Sequence, residues 1–274
     1  MRLFRAGLRK LVRRPATWVT FLLLAGLLVL IFVAVIASAK QPQEPQAALA
    51  ARTVVTFPGA YRVVLSMILG IGGLLAVTYG GAIAGSEWSW GTLKAAVARG
   101  ESRTRYTLLG YAGVATFAIL GLVAAFAIGV ACAAAGASVL DVGLGGMGDA
   151  QALGALPELF GRAALAVAMN TALGFAIATI AGSQLAGIGV DIGVYFAEGI
   201  ASIFLPEVIK WFPFAAASAV VSGGGDVTFG GGGSSGAGAG ASLDPNTAIV
   251  VVVAWLLGSL LLSALWTERA EIGG

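Results

Sequence analysis

One compact charged segment lies between two long apolar runs and carries the side chains best suited to chemistry in this chain. It begins Glu87-Trp-Ser-Trp-Gly-Thr-Leu-Lys94 and continues through Arg99-Gly-Glu-Ser-Arg-Thr-Arg105. A glycine turn precedes Thr92, and Leu93 and Val97 then fall four apart on one helical face. The pattern predicts a short amphipathic helix at the membrane surface, shaped to dock into a groove of a partner.

The same segment resembles the signature Glu-x-x-x-Gly-Thr-Leu-Lys/Arg…Gly-x-x-Arg of ABC transporter permeases of the type-2 exporter class. The matching residues, in order, are Glu87, Gly91, Thr92, Leu93, Lys94, Gly100 and Arg103. Many relatives of this class place a lysine seven or eight residues after that arginine, where this chain has Gly110 or Tyr111. The resemblance implies that residues 87–105 receive the motion of an ATPase. Trp88 and Trp90 either anchor the segment at the membrane interface or pack against that ATPase.

Two carboxylates, Asp191 and Glu198, lie inside a later apolar run. Charged groups within a bilayer are energetically expensive and are therefore candidates for function. Being seven residues apart, they share one helical face with Tyr195, while Gly189 and Gly193 fall on the opposite side. We therefore expect the glycine side to pack closely and the carboxylate side to face a cavity or an interface.

Three roles stay open for this stripe of Asp191, Tyr195 and Glu198. Glu198 can form an ion pair with Arg162 or Arg62, the stripe can contact substrate or a cation, or the acids can be buried in the neutral form. In permeases of the class named above, the second and fifth spans line the passage near the dimer interface. The resemblance therefore implies that the stripe is a candidate for the substrate path.

The composition indicates that membrane-spanning helices position these residues. Hydrophobic residues make up 58% of the 274 positions and charged residues 11%, whereas soluble domains carry about 25% charged residues. A helix needs about twenty apolar residues to cross the hydrocarbon core, and about six such spans fit the chain. The predicted fold class is an all-α integral membrane protein with six transmembrane helices and an N-terminal amphipathic interfacial helix.

The chain divides where apolar sequence changes to polar sequence. The divisions are 1–15, an amphipathic elbow helix; 16–85, the first two transmembrane helices; 86–105, a cytoplasmic coupling segment; 106–205, transmembrane helices three to five; 206–246, an external interfacial segment and Gly-rich loop; and 247–274, the sixth transmembrane helix and a cytoplasmic tail. Residues 40–60 and 136–157 are predicted as external loops, because they are polar and contain proline or aspartate.

The distribution of basic residues predicts the orientation. Eleven of the sixteen Lys and Arg residues fall in the predicted inner segments and five in the outer half. By the positive-inside rule, both termini and the coupling segment are cytoplasmic. The sequence thus predicts a multi-pass protein of the cell membrane, inner or plasma. The lipid bilayer is a partner, and nucleic acid is not expected, because the basic residues concentrate beside the spans.

Several chemistries are excluded by the residues that the chain lacks. There is no histidine, which removes imidazole metal ligands and Ser-His triads, and the one cysteine, Cys132, cannot form an intrachain disulfide. No Gly-Lys-Ser/Thr occurs, so we expect no phosphate-loop ATP site in this chain. The resemblance to a transport subunit implies that the chain is not itself an enzyme and holds no cofactor. The resemblance implies that ATP and Mg bind separate ATPase subunits, and that a second permease copy or paralogue completes the path.

Two functions remain open. The first is an exporter permease that moves a hydrophobic or amphipathic molecule such as a lipid, peptide or drug. The alternative is a non-transporting multispan scaffold or assembly factor, which recruits a soluble partner through its basic cytoplasmic loop. An ATPase that accompanies the chain would favour the permease.

Overall fold

A computed structural model of the protein describes residues 2–40, 45–222 and 242–270, and this part contains helices but no strand. In chain order the α-helices are α1 (Arg2–Val12), α2 (Pro15–Ala39), α3 (Pro45–Val55), α4 (Gly59–Ser89), α5 (Thr92–Ala98), α6 (Arg103–Val139), α7 (Ala150–Ala181), α8 (Gln184–Phe204), α9 (Pro206–Ile209), α10 (Pro213–Ser222) and α11 (Pro245–Arg269). Six of them, α2, α4, α6, α7, α8 and α11, are long and apolar enough to cross a membrane. The predicted fold class is confirmed, and the chain is a multi-pass membrane protein.

Helices α4 and α7 form the centre of the bundle. In each of them, 67% of the most apolar 18-residue stretch is buried inside the protein. The corresponding share in the other four spans is 17% to 22%. Lipid tails are as apolar as leucine, so helices in a membrane associate through close packing and polar contacts rather than through the hydrophobic effect. The central pair therefore has to be held by its shape.

Glycine residues provide that shape by letting backbones touch. A Cβ on Gly80 of α4 would collide with the Thr171 carbonyl of α7, and one on Gly174 of α7 would collide with the Val77 carbonyl of α4. Gly85 of α4 lies in the same way against the first residue of α8, Gln184. Small residues at helix interfaces allow this close approach, which makes α4 the helix against which both α7 and α8 are packed.

The amphipathic N-terminal helix α1 lies against α6. Its residue Leu11 is buried and packs against Gly113 of α6, while Arg9 and Arg13 stay exposed. Pro15 then begins α2, a position where its missing N–H needs no partner. The apolar side of α1 thus contacts protein, and its basic side stays open.

Two predicted loops contain helices instead. Within residues 40–60, α3 spans Pro45–Val55, because an alanine-rich run follows a proline that is tolerated in a first helical turn. Within residues 136–157, α7 already begins at Ala150, and the Asp149 carboxylate caps it by accepting from the Ala152 N–H at 2.7 Å. Polar and proline-bearing sequence suggested a loop in both places; helix-forming alanines overrode that signal in α3, and the Asp149 cap did so in α7.

The segment predicted as interfacial after the fifth span enters the bundle. Helix α10 buries Phe214, Ala216 and Val220 and packs against α7 and α11. It ends at Ser222, and the predicted Gly-rich loop lies almost entirely at 223–241, outside the described residues. The aromatic residues Trp211 and Phe212 are exposed just before α10.

Candidate functional site

Glu87, near the end of α4, receives four side-chain hydrogen bonds. Its Oε1 accepts from Lys10 Nζ at 2.7 Å and from Arg14 Nη2 at 2.6 Å. Its Oε2 accepts from Tyr106 Oη at 2.7 Å and from Thr92 Oγ1 at 2.5 Å. The donors come from α1, the α1–α2 junction, α5 and α6, so one carboxylate joins the elbow helix, the second span and both sides of the coupling segment.

Arg14 strengthens this network from a buried position. Its side chain is 9% exposed, and its Nη1 donates to Ser86 Oγ at 2.6 Å while Nη2 bonds Glu87. The guanidinium also lies 5.1 Å from the centre of the Trp90 ring, a cation–π distance. Trp90 itself is 65% exposed at the surface of the protein. Arg14 therefore connects the Glu87 network to the surface of the coupling segment.

The short helix α5 is bounded by two glycines with positive φ. Gly91 has φ +65° and Gly100 has φ +85°, a region that favours glycine because it lacks a Cβ. Between them, Leu93 and Ala96 are buried, while Lys94, Ala95, Ala98 and Arg99 are exposed. The sequence paired Leu93 with Val97 on the inner face; the structure buries Ala96 more fully and leaves Val97 half-buried. Helix α5 thus shows a small, basic outer face.

Arg103, at the start of α6, ties the coupling segment to the last span. Its Nη1 donates to the carbonyls of Glu268 at 3.1 Å and Ala270 at 2.9 Å, at the carboxyl end of α11. The neighbouring Thr104 hydroxyl bonds the Glu268 side chain. A cation at this end also complements the helix dipole.

Trp88 is half-buried and lines a cavity of about 320 Å³ between α1, α4, α5 and α6. Lys10, Glu87, Leu93 and Tyr106 face the same cavity. The two tryptophans therefore differ: Trp88 faces this cavity, whereas the Trp90 ring is exposed at the surface. All eight predicted coupling residues lie in or beside the short stretch between α4 and α6, and Gly91 and Gly100 shape it.

Three members of the network were not predicted as site residues: Lys10, Arg14 and Tyr106. A signal for them existed in the sequence. A carboxylate at the end of an apolar span needs counter-charges, and the elbow supplies basic residues on the same predicted side of the membrane. Which of those residues reach Glu87 depends on the tertiary packing of α1, which spacing does not reveal.

The stripe on α8 faces the protein's own core. Asp191 is fully buried against Gly81 of α4, and neither of its oxygens has a hydrogen-bond partner within the described ranges. Tyr195 Oη donates to the Gly70 carbonyl of α4 at 2.9 Å. Glu198 is 3% exposed, and its carboxylate contacts the first residues of the neighbouring helix α10. These residues attach α8 to the bundle.

Glu198 caps a helix and does not pair with an arginine. Its oxygens accept from the N–H groups of Ala215 at 2.6 Å and Phe214 at 3.3 Å, where α10 has free backbone donors. Arg162 instead bonds Glu158 at 2.5 Å. Among the residues that the structure describes, the expected Arg162–Glu198 or Arg62–Glu198 ion pair is not formed, because the short helix α10 reaches the carboxylate.

The packing of the glycine side of α8 was predicted wrongly. Gly189 and Gly193 are exposed, and a Cβ on either would meet no atom within 4 Å. The outward face around them is apolar, with Phe196 and Ile200 more than half exposed. The helix is therefore turned so that its polar residues pack inward and its apolar residues point to lipid or to another chain. Apolar surroundings outside the bundle explain this orientation.

Within the described residues, no three His, Cys, Asp or Glu side chains lie close enough to hold a metal ion. A scan against models of known protein families and a search of curated proteins both found no match. What this chain does must therefore be inferred from its own residues, above all from those around Glu87.

The Glu87 network predicts an unequal response to the same substitution at two glutamates. Glu87→Gln removes a charge that faces Lys10 and the buried Arg14, so we expect unfolding to become easier by about 3 kcal/mol. Glu158→Gln is the matched control, because its pair with Arg162 is on the surface and contributes less than about 1 kcal/mol. Thermal midpoints of the purified protein in detergent measure both. Equal midpoints would contradict a structural role for the network.

The cap on α10 predicts a graded effect at Glu198. Glu198→Ala leaves one buried and one partly buried N–H group without an acceptor, for which we expect a loss of about 1–3 kcal/mol. Glu198→Gln keeps one acceptor oxygen and should lose less. Glu207→Ala, which removes an exposed partner of Lys210, is the control and should change the midpoint little. Glu198→Ala as stable as the control would show that the cap is unimportant.

Proposed function

We propose that this chain is the membrane-spanning permease subunit of an ATP-driven ABC exporter, working with a separate ATPase chain. The observation that carries the proposal is the fixed helix α5 between the second and third spans. Glu87 holds its start through Thr92, and its buried residues Leu93 and Ala96 leave one small basic face exposed. A short helix presented in this way fits a groove on a soluble partner.

The contacts of the coupling segment support a role in transmitting motion. A force on α5 would act on α1 and α6 through Glu87, which bonds Lys10 and Tyr106. It would act on α11 through Arg103, which bonds the carboxyl end of that helix. Three of the six spans, α4, α6 and α11, are thus joined at one end of the bundle. Such connected rigid elements are a physical route for coupling.

The same contacts support the proposed orientation. Lys10 meets Glu87, and Arg103 meets Ala270, so the first helix, the coupling segment and the last described residue lie at one end of the bundle. The excess of basic residues supports a cytoplasmic position for this end, in a cell membrane. A cytoplasmic position is required for any segment that docks with an ATPase.

The remaining parts of the exporter would come from other chains. ATP and Mg would bind the partner ATPase, since this chain has no phosphate-loop motif. A second copy or a paralogue would complete the path, and we place it beside the exposed apolar face of α8 near Gly193 and Phe196. With few charged residues along the spans, a hydrophobic or amphipathic substrate is the proposed cargo.

The orientation predicts which introduced cysteines react from outside. In a Cys132→Ser background, Ser89→Cys lies beside the coupling segment and Gly145→Cys lies at the opposite end, both at exposed positions. We expect a membrane-impermeant maleimide to label Gly145→Cys in intact cells and Ser89→Cys only after permeabilisation. Labelling of Ser89→Cys in intact cells would reverse the proposed orientation.

The docking face predicts loss of a partner ATPase on charge reversal. Lys94→Glu/Arg99→Glu changes only two exposed side chains, one in α5 and one directly after its last residue, so the fold should be retained. We expect the tagged chain to co-purify with a protein that carries a Walker motif and hydrolyses ATP, and the double variant to lower its yield at least about tenfold. Mass spectrometry and ATPase activity of the eluate provide the measurement.

Lys40→Glu/Arg52→Glu is the matched control, with two exposed cations reversed at the other end of the bundle. It should leave the ATPase yield unchanged. A co-purifying partner without nucleotide-binding motifs, lost in the α5 variant but not in the control, would favour the scaffold alternative. Retention of an ATPase by both variants would remove the role proposed for α5.

A further inference from the structure

A recess with surplus positive charge lies where α1 meets α2. It is lined by Arg9, Lys10, Arg13, Arg14 and Trp90, which we call the basic recess. The carboxylate that faces these cations is Glu87, and it bonds Lys10 and Arg14. Arg9 and Arg13 are exposed and have no hydrogen-bond or ion-pair partner within residues 2–40, 45–222 and 242–270. Among the described residues, four cations with one counter-charge create a site that attracts an anion.

The recess is preformed rather than a set of loose side chains. Arg14 is held by Ser86, Glu87 and the face of Trp90, and its Nε–H is buried without an acceptor in the described part of the chain. Lys10 is held by Glu87 at 2.7 Å. Ordered cations lose less conformational entropy when an anion binds. Arg9 and Arg13 can then close on the ligand from the open side.

An apolar groove runs along α2, α4 and α6. It encloses about 220 Å³, and its lining includes Phe21, Leu24, Gly72, Leu75, Ala118 and Leu122. The hydroxyls of Thr17 and Tyr79, which also line it, are bonded to each other at 3.0 Å. Their mutual bond leaves a largely apolar channel that fits a hydrocarbon chain and disfavours a polar solute.

The basic recess and the groove lie along one seam. Helices α2 and α4 run antiparallel, with Arg14 bonded to Ser86 at 2.6 Å and Thr17 bonded to Tyr79 at 3.0 Å. Farther along α2, Leu24 packs against Gly72. From position 14 to position 24 an α-helix rises about 15 Å, and positions 14, 17, 21 and 24 share one face. The seam between α2 and α4 therefore has the cations at one end and the apolar groove farther along the same helices.

We propose that an anionic phospholipid binds this seam, with its phosphate in the basic recess and one acyl chain in the groove between α2, α4 and α6. The surplus charge selects against a neutral headgroup, and the apolar groove farther along the same helix pair gives a lipid contacts that a free phosphate cannot make. This site does not depend on transport: it follows from α1, α2, α4 and α6 whether or not the chain serves an exporter.

Native mass spectrometry of the full-length protein in a mild detergent tests the proposal. Phosphatidylglycerol, phosphatidylcholine of the same acyl composition and inorganic phosphate are added separately. We expect saturable binding of phosphatidylglycerol, about tenfold tighter than that of phosphatidylcholine. Inorganic phosphate at the lipid concentration should not displace it. Equal binding of both lipids would overturn the charge selection, and displacement by phosphate would overturn the lipid as occupant.

Charge variants locate the headgroup. Arg9→Gln/Arg13→Gln removes two exposed cations that take no part in the Glu87 network, so the fold should persist with an unchanged thermal midpoint in delipidated protein. We expect it to weaken phosphatidylglycerol binding about tenfold. Lys94→Gln/Arg105→Gln removes the same charge from the same end of the bundle and should bind as the parent does. An equal loss of phosphatidylglycerol binding in both variants would show that general surface charge causes the effect. It would overturn the proposed site.

A groove variant locates the acyl chain. Gly121 lines the groove, and a Cβ there meets no atom within 4 Å, so Gly121→Phe should fill the groove without disturbing the backbone. Gly161→Phe on α7 is the control, since that position is equally open and outside the groove. We expect phosphatidylglycerol binding to fall severalfold only in Gly121→Phe. Unchanged binding in a folded Gly121→Phe protein would show that the groove is not used.

Discussion

The carboxylate of Glu87 has to be neutralised at the end of a membrane span, and the cytoplasmic architecture proposed above depends on how this is done. A charge in a region of low dielectric is tolerated when it is paired and fully hydrogen-bonded. Glu87 meets that demand with two cations and two hydroxyls, each from a different segment. Satisfying one group therefore fixes the elbow helix, the α1–α2 junction, the start of α5 and the start of α6 together. Removing any one donor leaves the Glu87 carboxylate with one hydrogen bond fewer.

Packing inside the membrane follows a second rule, in which polar anchors and glycine contacts replace the hydrophobic effect. Gly80 and Gly174 bring the α4 and α7 backbones together, and α8 is then fastened by side chains that are polar. Tyr195 reaches a carbonyl of α4, and Glu198 caps α10. The residues that looked most like a substrate surface thus hold the fifth span in place. Any substrate contact by this stripe requires a conformation in which α8 has moved away from α4.

Sequence reasoning predicted the spans from local signals, missed α3 and the early start of α7 although their signals were local, and failed where a distant partner decided the outcome. The six spans followed from apolar length, and the Gly91–Thr92 start of α5 followed from turn chemistry. The direction in which α8 faces could not be predicted, since the periodicity that groups Asp191 with Glu198 does not say which side meets protein. The partner of Glu198 is α10, a helix that begins within the segment predicted to be interfacial. Lys10 and Arg14 were visible as basic residues, but their contact with Glu87 spans more than seventy positions.

Arg14 is the residue at which the two proposals meet. Its guanidinium bonds Glu87, which positions α5, and the same group lines the recess proposed for a lipid phosphate. An anion in the recess would lower the repulsion among Arg9, Arg13 and Arg14 and so stabilise the arrangement in which Arg14 holds Glu87. Coupling of this kind is reciprocal, so a partner that stabilises α5 would also raise the affinity of the recess for its anion. Membrane composition and partner docking would therefore act on one shared network at this end of the bundle.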